Sequence, residues 1–184
     1  MSKIAFLYPG QGAQVAGMGK DFYEKSPLAK EVFDKSCEIL GQDMKHICFE
    51  ENELFDRTDY TQAALVTTCM AMTKEIMARG LTPDMTAGLS LGEYTAHVAS
   101  GSMEFTDAVK LVKKRGKYMQ EEVPLGVGAM AAIIALTPED VKEICKQASS
   151  KGICEPANFN CPGQITVAGE VAAVEYACEL AKEK

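Results

Sequence analysis

The stretch MTAGLSLGEY, residues 85–94, decides the fold of this chain. Residues 85–89 predict a short strand, and the letters SLGE that follow open a helix that we expect to end near Gly101. Residues 88–92 read GLSLG and match the pattern G-x-S-x-G. Glycines two places before and after the serine allow a sharp turn from strand to helix, which is the arrangement of a nucleophile elbow.

Ser90 is therefore the candidate nucleophile. In such a turn its hydroxyl projects from the backbone, and the N–H groups at the start of the new helix can stabilise a developing oxyanion. The alternative is that Ser90 is a glycine-flanked serine that only caps the helix. Spacing alone leaves both open.

A serine nucleophile needs a base, and the sequence contains two histidines, His46 and His97. His97 follows Ser90 by two turns of the same predicted helix, about 10 Å along its axis, so we expect it to pack against a neighbouring helix. His46 lies in the polar stretch QDMKHICFEEN, which predicts a surface position. Neither histidine is predicted to be the base.

The first two thirds of the chain alternate strands with helices. Residues 4–8 predict a buried strand that ends at Pro9-Gly10, and Ser26-Pro27 is an N-cap followed by proline at the first helical position. The predicted helices span about 26–40, 60–79 and 104–123, and the middle of the second is apolar nearly all round. This alternation favours an α/β fold with a mainly parallel sheet, and with the elbow it favours a hydrolase-like core.

After Pro124 the pattern changes to β-α-β-β-α. The strands are predicted near 126–136, 153–159 and 164–168, with helices at about 137–150 and from 170 onward. This order gives five of the six elements of a ferredoxin-like unit, and the last strand is missing. We therefore expect two domains: an incomplete large α/β subdomain at 1–124 and an incomplete ferredoxin-like subdomain at 125–184.

Composition excludes several classes of protein. The 184 residues are 47% hydrophobic, and 19 basic against 26 acidic side chains give a net charge of −7. Such a chain can form a core, so it is not predicted to be disordered, and its acidic balance disfavours a nucleic-acid binder.

No apolar run is long enough for a membrane span, and no signal peptide is predicted, so we expect a cytoplasmic protein. The seven cysteines form no C-x-x-C pair, so no metal site is predicted, and they are expected to be small buried hydrophobes.

Arg115 stands out in the predicted helix at 104–123. It falls on the apolar stripe of that helix, whereas the lysines gather on the other side; the stripe is Phe105, Ala108, Val112, Arg115 and Met119, and the lysines are Lys110, Lys113, Lys114 and Lys117. Gly116 beside it would leave room for an inward guanidinium. Such a group suits a carboxylate held by two hydrogen bonds. A snorkelling side chain or an internal ion pair remains the alternative.

Five blocks of sequence together resemble one known family. YPGQGAQ (8–14), TDYTQAAL (58–65), GLSLGEY (88–94), KRGKYMQ (114–120) and NFNCPGQ (158–164) follow in the order and spacing of malonyl-CoA:acyl-carrier-protein transacylases. These enzymes act in fatty-acid biosynthesis and are related to the acyltransferase domains of polyketide synthases. One difference is Leu89, where many members have histidine.

The resemblance implies a transferase that moves a malonyl group from malonyl-CoA through a serine ester to acyl carrier protein. It implies that Ser90 accepts the acyl group and that the backbone N–H groups of Gln11 and Leu91 form the oxyanion hole. It further implies that Arg115 binds the malonyl carboxylate and that Asn158 and Asn160 lie close to the active site. No metal or redox cofactor is implied, and the implied partners include neither nucleic acid nor membrane.

Length is the larger difference from that family. Members run to roughly three hundred residues, and their catalytic histidine is expected shortly beyond Lys184. The chain alone is therefore expected to be impaired in transfer, because the serine would lack its base. Two other readings remain at this point: an α/β-hydrolase-type esterase or thioesterase, which shares G-x-S-x-G, and a truncated module without catalysis.

Overall fold

A computed structural model describes residues 3–184 of the protein. The chain divides into two compact units, Met1–Glu122 and Val123–Lys184. The first unit contains β1 (Ala5–Tyr8), α1 (Lys20–Lys25), α2 (Pro27–Leu40), α3 (Met44–Phe49), α4 (Thr58–Ala78), β2 (Met85–Gly88), α5 (Gly92–Ala99) and α6 (Phe105–Glu122). The second contains β3 (Gly128–Ile134), α7 (Pro138–Ala148), a 3-10 turn (Ser149–Lys151), β4 (Cys154–Cys161), β5 (Gln164–Glu170) and α8 (Val171–Glu183).

The sheet of the first unit is parallel, as predicted. β1 and β2 pair with Ala5 opposite Met85 and Tyr8 opposite Gly88, and α5 packs on both strands. The prediction that β1 is buried was wrong for one face of the sheet. Leu7 is 76% exposed, because side chains alternate along a strand and α5 covers only the face that carries Tyr8.

The helices of the first unit form its core around α4. The predicted cap of α2 is confirmed, because the Ser26 hydroxyl accepts a hydrogen bond from the Ala29 amide at 3.1 Å. The apolar middle of α4 is buried on most sides, as its composition predicts, and α2 and α6 pack against it. Gly80, at φ 91°, follows α4 and allows the chain to leave the helix.

The sequence interpretation missed two short helices, α1 and α3. The side chain of Asp43 accepts hydrogen bonds from the amides of Lys45 and His46 and so caps α3. On α3, Met44, Ile47 and Cys48 are buried in the core. Six residues are too few to give a clear helical period, so capping chemistry was the available signal.

The second unit is an antiparallel sheet with two helices. Its strand order is β3-β5-β4, with Ala131 opposite Val167 and Cys154 opposite Gly169. Thr137 caps α7 as predicted, since its hydroxyl accepts from the Asp140 amide at 3.1 Å. The core of this unit includes Ile133, Val141, Ile144, Ile165, Val167 and Val174. The α/β class is therefore confirmed, with one small parallel and one antiparallel sheet.

The cysteines follow the expectation only in part. Cys48, Cys145 and Cys154 are buried, but Cys161 is exposed because it ends β4 at the turn into β5. Burial raises the pKa of Cys48 to about 12 and that of Cys69 to about 11.

In residues 3–184 no helix is both long and apolar enough to cross a membrane.

Candidate active site

The turn between β2 and α5 has the geometry of a nucleophile elbow. Ser90 lies at its apex with φ 51°, in the left-handed region that side-chain-bearing residues rarely adopt. A Cβ at Gly88 would lie 2.0 Å from the carbonyl carbon of Gly92, and one at Gly92 would lie 2.2 Å from the carbonyl oxygen of Tyr8. Both glycines are thus required by close backbone approach, as the pattern predicts.

Arg115 reaches Ser90 from α6. Its Nη2 donates a hydrogen bond of 3.2 Å to the Ser90 Oγ, and its Cζ lies 5.9 Å from the centre of the Tyr94 ring. The guanidinium is half-buried, and no carboxylate within residues 3–184 forms an ion pair with it. The spacing left open an internal ion pair of Arg115, and the structure does not show one.

Gln62 on α4 fixes the other side of the guanidinium. Its Oε1 accepts a hydrogen bond of 2.8 Å from Nη1 of Arg115, and its side chain is fully buried. Its Nε2 faces the Gln11 Oε1 and the Met119 Sδ, each at 3.3 Å. Because its oxygen is aimed at a cation and its nitrogen at two acceptors, Gln62 is held in one orientation.

Gln11 is tied to the same cluster by its side chain. Its Nε2 donates to the Thr58 Oγ1 at 3.1 Å, next to its contact with Gln62. Throughout residues 3–184, the backbone amides of Gln11 and Leu91 find no protein acceptor. Two N–H groups beside the turn are thus available to an oxygen that is not part of the chain.

The structure does not bring a histidine to Ser90. Nδ1 of His97 lies 3.0 Å from the Ser102 Oγ, and that of His46 lies 3.0 Å from the Glu50 Oε2. The surface position predicted for His46 is confirmed. The expectation that His97 packs in a helix interface was wrong, because the exposed side of α5 carries it and a nearby loop serine binds it.

Two details of the sequence interpretation of α6 need correction. A Cβ at Gly116 would lie 2.5 Å from the Thr58 carbonyl oxygen, so this glycine admits the first turn of α4 rather than making room for Arg115. Lys113 is not part of a solvated lysine face: its Nζ lies 3.9 Å from the Tyr60 ring centre and donates to the Asp59 carbonyl at 2.7 Å. Burial lowers the pKa of Lys113, although Asp59 opposes the shift.

Asn158 and Asn160 lie on β4 of the second unit. Asn158 is paired with Thr166 of β5, and Asn160 Nδ2 donates to the Thr166 Oγ1 at 3.2 Å. Both asparagines are exposed on their own unit. Their predicted closeness to Ser90 stays a prediction.

Gln62 is the site residue that sequence reasoning missed. In the sequence it is one letter of the block TDYTQAAL, on a helix whose pattern is dominated by apolar residues. A glutamine inside a helix buried on most sides is itself a signal, since a buried amide needs hydrogen-bond partners.

In residues 3–184, no group of three or more histidine, cysteine, aspartate or glutamate side chains is placed to hold a metal.

Known proteins match nearly the whole length of this chain. Residues 5–184 match the acyl transferase domain family. The malonyl CoA-acyl carrier protein transacylase of Bacillus subtilis is 49% identical over an alignment of 185 positions that covers 100% of this chain and 58% of that protein. The chain thus spans little more than half the length of such a relative.

Solved structures agree with the sequence match. The crystal structure of the Clostridium perfringens malonyl CoA-acyl carrier protein transacylase superposes with a TM-score of 0.85 at 49% identity, covering 99% of this chain and 58% of that one. A malonyl-transacylase in complex with its type II PKS acyl-carrier protein superposes with a TM-score of 0.88 at 39% identity, covering 99% and 60%. The resemblance seen in the sequence is confirmed, and the chain belongs to the acyl transferase domain family.

Proposed function

We propose that this chain carries the acyl-accepting site of a malonyl-CoA:acyl-carrier-protein transacylase. The observation that supports this most is the hydrogen bond of 3.2 Å from Arg115 to the hydroxyl of Ser90 at a left-handed turn. It combines a presented hydroxyl with a cation that has no ion-pair partner among residues 3–184. An esterase would need the hydroxyl but has no use for the guanidinium, and the family match does not favour that alternative.

Acyl transfer would begin with attack of the Ser90 Oγ on the thioester carbonyl of malonyl-CoA. The new C–O bond forms, and the carbonyl oxygen becomes an oxyanion that the amides of Gln11 and Leu91 can hold. The C–S bond then breaks, and coenzyme A leaves with a proton. The phosphopantetheine thiol of acyl carrier protein would take the malonyl group from the serine ester in a second displacement of the same kind.

Arg115 would select the acyl group by its charge. Its fork can hold the malonyl carboxylate with two hydrogen bonds, while Gln62 keeps the guanidinium in place. A neutral acetyl group would leave a half-buried cation without a partner, which penalises that substrate. The bond to Ser90 leaves the serine proton free, because the Oγ accepts from Arg115 and can still donate to a base.

Neither His46 nor His97 can accept the proton of Ser90. Both are bonded to other side chains on exposed surfaces. A serine hydroxyl without a base retains only the contributions of the oxyanion hole and of substrate binding. We therefore expect turnover by the 184 residues alone to be about 10⁴-fold or more below that of serine enzymes that have their base.

The remaining parts of the proposal concern the second unit and the partners. The order β-α-β-β-α and the sheet order β3-β5-β4 support a ferredoxin-like unit at 125–184. The elbow after a parallel pair of strands supports a hydrolase-like core at 1–124. Asn158 and Asn160 would line the acyl site. An acidic carrier protein in the cytoplasm would dock on the lysine run at 113–117, where Lys113 is bonded to Asp59 and Lys114 and Lys117 remain on the exposed side. The thioester supplies the activation, so the transfer itself needs no cofactor.

The test is a comparison of two thioesters in two variants. Release of coenzyme A from malonyl-CoA and acetyl-CoA is measured for the 184-residue chain and for Arg115→Ala, with imidazole added as an external base. We expect the wild type to prefer malonyl-CoA and Arg115→Ala to lose about 100-fold of that preference. An unchanged ratio of the two rates in Arg115→Ala would contradict the proposal.

A further inference from the structure

Two buried cysteines of the second unit are in contact. The Sγ atoms of Cys145 on α7 and Cys154 on β4 lie 3.8 Å apart, and the thiol of Cys154 points its hydrogen at Cys145. The two side chains are only 2% and 1% exposed. Both are reduced in the structure, and none of the roles proposed above involves them.

A cleft connects the pair with solvent. Its volume is about 230 Å³, and its lining includes both cysteines, Lys142, Lys146 and Glu155. Both cysteines line this cleft, so a small reagent that enters it lies next to the pair without unfolding of the unit. Cys178 on α8 is half-buried, and its charge adds to burial, the main cause, in raising the pKa of Cys154.

We infer that Cys145 and Cys154 form a redox-active dithiol, a modification site that takes a low-molecular-weight disulfide and closes into an intramolecular disulfide. One thiolate attacks the reagent RSSR, so that a mixed disulfide forms and one RS⁻ leaves and takes a proton. The second thiolate attacks the protein sulfur of that mixed disulfide and releases the other RSH. Two thiols are thus oxidised and one disulfide is reduced to two thiols, which balances the two electrons.

Geometry favours closure between these two residues. A disulfide requires a sulfur separation of about 2.0 Å, so closure needs the two sulfur atoms to approach by roughly 1.8 Å from their separation of 3.8 Å. The product would link α7 to β4, the strand that carries Asn158 and Asn160. The exposed Cys161, in contrast, has its sulfur 3.9 Å from the side-chain oxygen of Gln164.

The environment predicts slow closure at neutral pH. Burial raises the pKa of Cys145 to about 12, and burial also raises that of Cys154. The groups that face the pair are Lys142 and Lys146 from α7, Glu155 from β4 and Cys178 from α8. Because the thiolate is the attacking species, the rate should rise about tenfold per pH unit below the pKa.

The test uses the full 184-residue chain with Cys161→Ser, which removes the exposed thiol. It is treated with 2-hydroxyethyl disulfide, a small uncharged disulfide, at pH 8 and 9, and its intact mass and tryptic peptides are measured without reductant. We expect a mass loss of about 2 Da, from two hydrogens, and a link between the peptides 143–146 and 152–182. Cys154 and Cys178 share the second peptide, so the same treatment of Cys178→Ser assigns the bond.

Each outcome decides the inference. The link should persist in Cys178→Ser and disappear in Cys145→Ser and in Cys154→Ser. Arrest at a mixed disulfide, a link from Cys145 to Cys178, or no reaction while circular dichroism shows a folded chain would overturn it. Because the decisive bond is mapped in a chain that retains both buried cysteines, poor folding of the two single variants does not affect the result.

Discussion

The turns at Ser90 and Ala135 share a strained backbone but differ in what surrounds them. Within residues 3–184 these are the non-glycine positions with positive φ, at 51° and 67°. Each follows a strand and precedes a helix. The Ala135 amide donates to the Gly163 carbonyl at 2.7 Å, so that strain serves a connection within the second unit.

Around Ser90 the same kind of turn is surrounded by polar side chains, and the charged one among them, Arg115, has no carboxylate partner in residues 3–184. Arg115 is held by the buried Gln62 and reaches the serine hydroxyl, and Gln11 joins the cluster from the loop after β1. A left-handed residue therefore does not identify a functional site by itself. The difference lies in the donors that converge on it.

The largest effect separates the two turns by function. We expect Ser90→Ala to abolish acylation by malonyl-CoA at this position, because no other hydroxyl replaces the nucleophile. Ala135→Ser is the matched control, since it places a hydroxyl at the other strained turn and should gain no acylation. Quenched-flow mass spectrometry measures both, and labelling of equal extent in Ser90→Ala would refute the assignment.

The next effect is on stability. Gly92→Ala places a Cβ 2.2 Å from the Tyr8 carbonyl oxygen, so we expect the free energy of unfolding to fall by about 3 kcal/mol or more. Gly101→Ala is the control: it has φ 76° but no atom within 4 Å of the added Cβ, so it should cost only about 1 kcal/mol. Urea denaturation compares them, and equal losses would show that contact at the elbow is not what requires Gly92.

A smaller effect concerns the support of Arg115. Gln62→Leu removes the acceptor for Nη1 at similar volume, so we expect malonyl-CoA acylation to slow about tenfold, mainly through a higher KM. Gln147→Leu, at an exposed glutamine bonded to Glu143, should have no effect. If kcat falls while KM is unchanged, Gln62 does not act by positioning the carboxylate-binding group.

The smallest expected effect is a change in the free energy of unfolding that should be similar at the two turns. Glycine relieves a left-handed conformation by roughly 1–2 kcal/mol and costs about 0.5–1 kcal/mol of chain entropy, so Ser90→Gly and Ala135→Gly should each raise the free energy of unfolding by about 0.5–1 kcal/mol. Thermal and urea unfolding measure this. A loss of stability in Ser90→Gly alone would mean that the hydroxyl stabilises the fold more than its backbone strain destabilises it.

The sequence predicted what short-range chemistry determines. The elbow, the caps by Ser26 and Thr137, and the inward side of Arg115 all follow from local spacing. The exposure of Leu7 and the contact of Lys113 with Tyr60 could not be predicted, because they depend on which elements pack together. Gln62 lay between these cases: its burial was visible in the pattern, but its partners come from α6 and from the loop that carries Gln11.

The most direct test of the central claim is the position of the acyl group. The chain is incubated with malonyl-CoA and imidazole, quenched with acid and digested with trypsin, and the peptide 80–110 is sequenced by mass spectrometry. The account predicts a malonyl ester on Ser90 and far less acetyl ester on Ser90 when acetyl-CoA replaces malonyl-CoA at the same concentration and time. A malonyl group on another residue, or equal acetylation of Ser90, would contradict it.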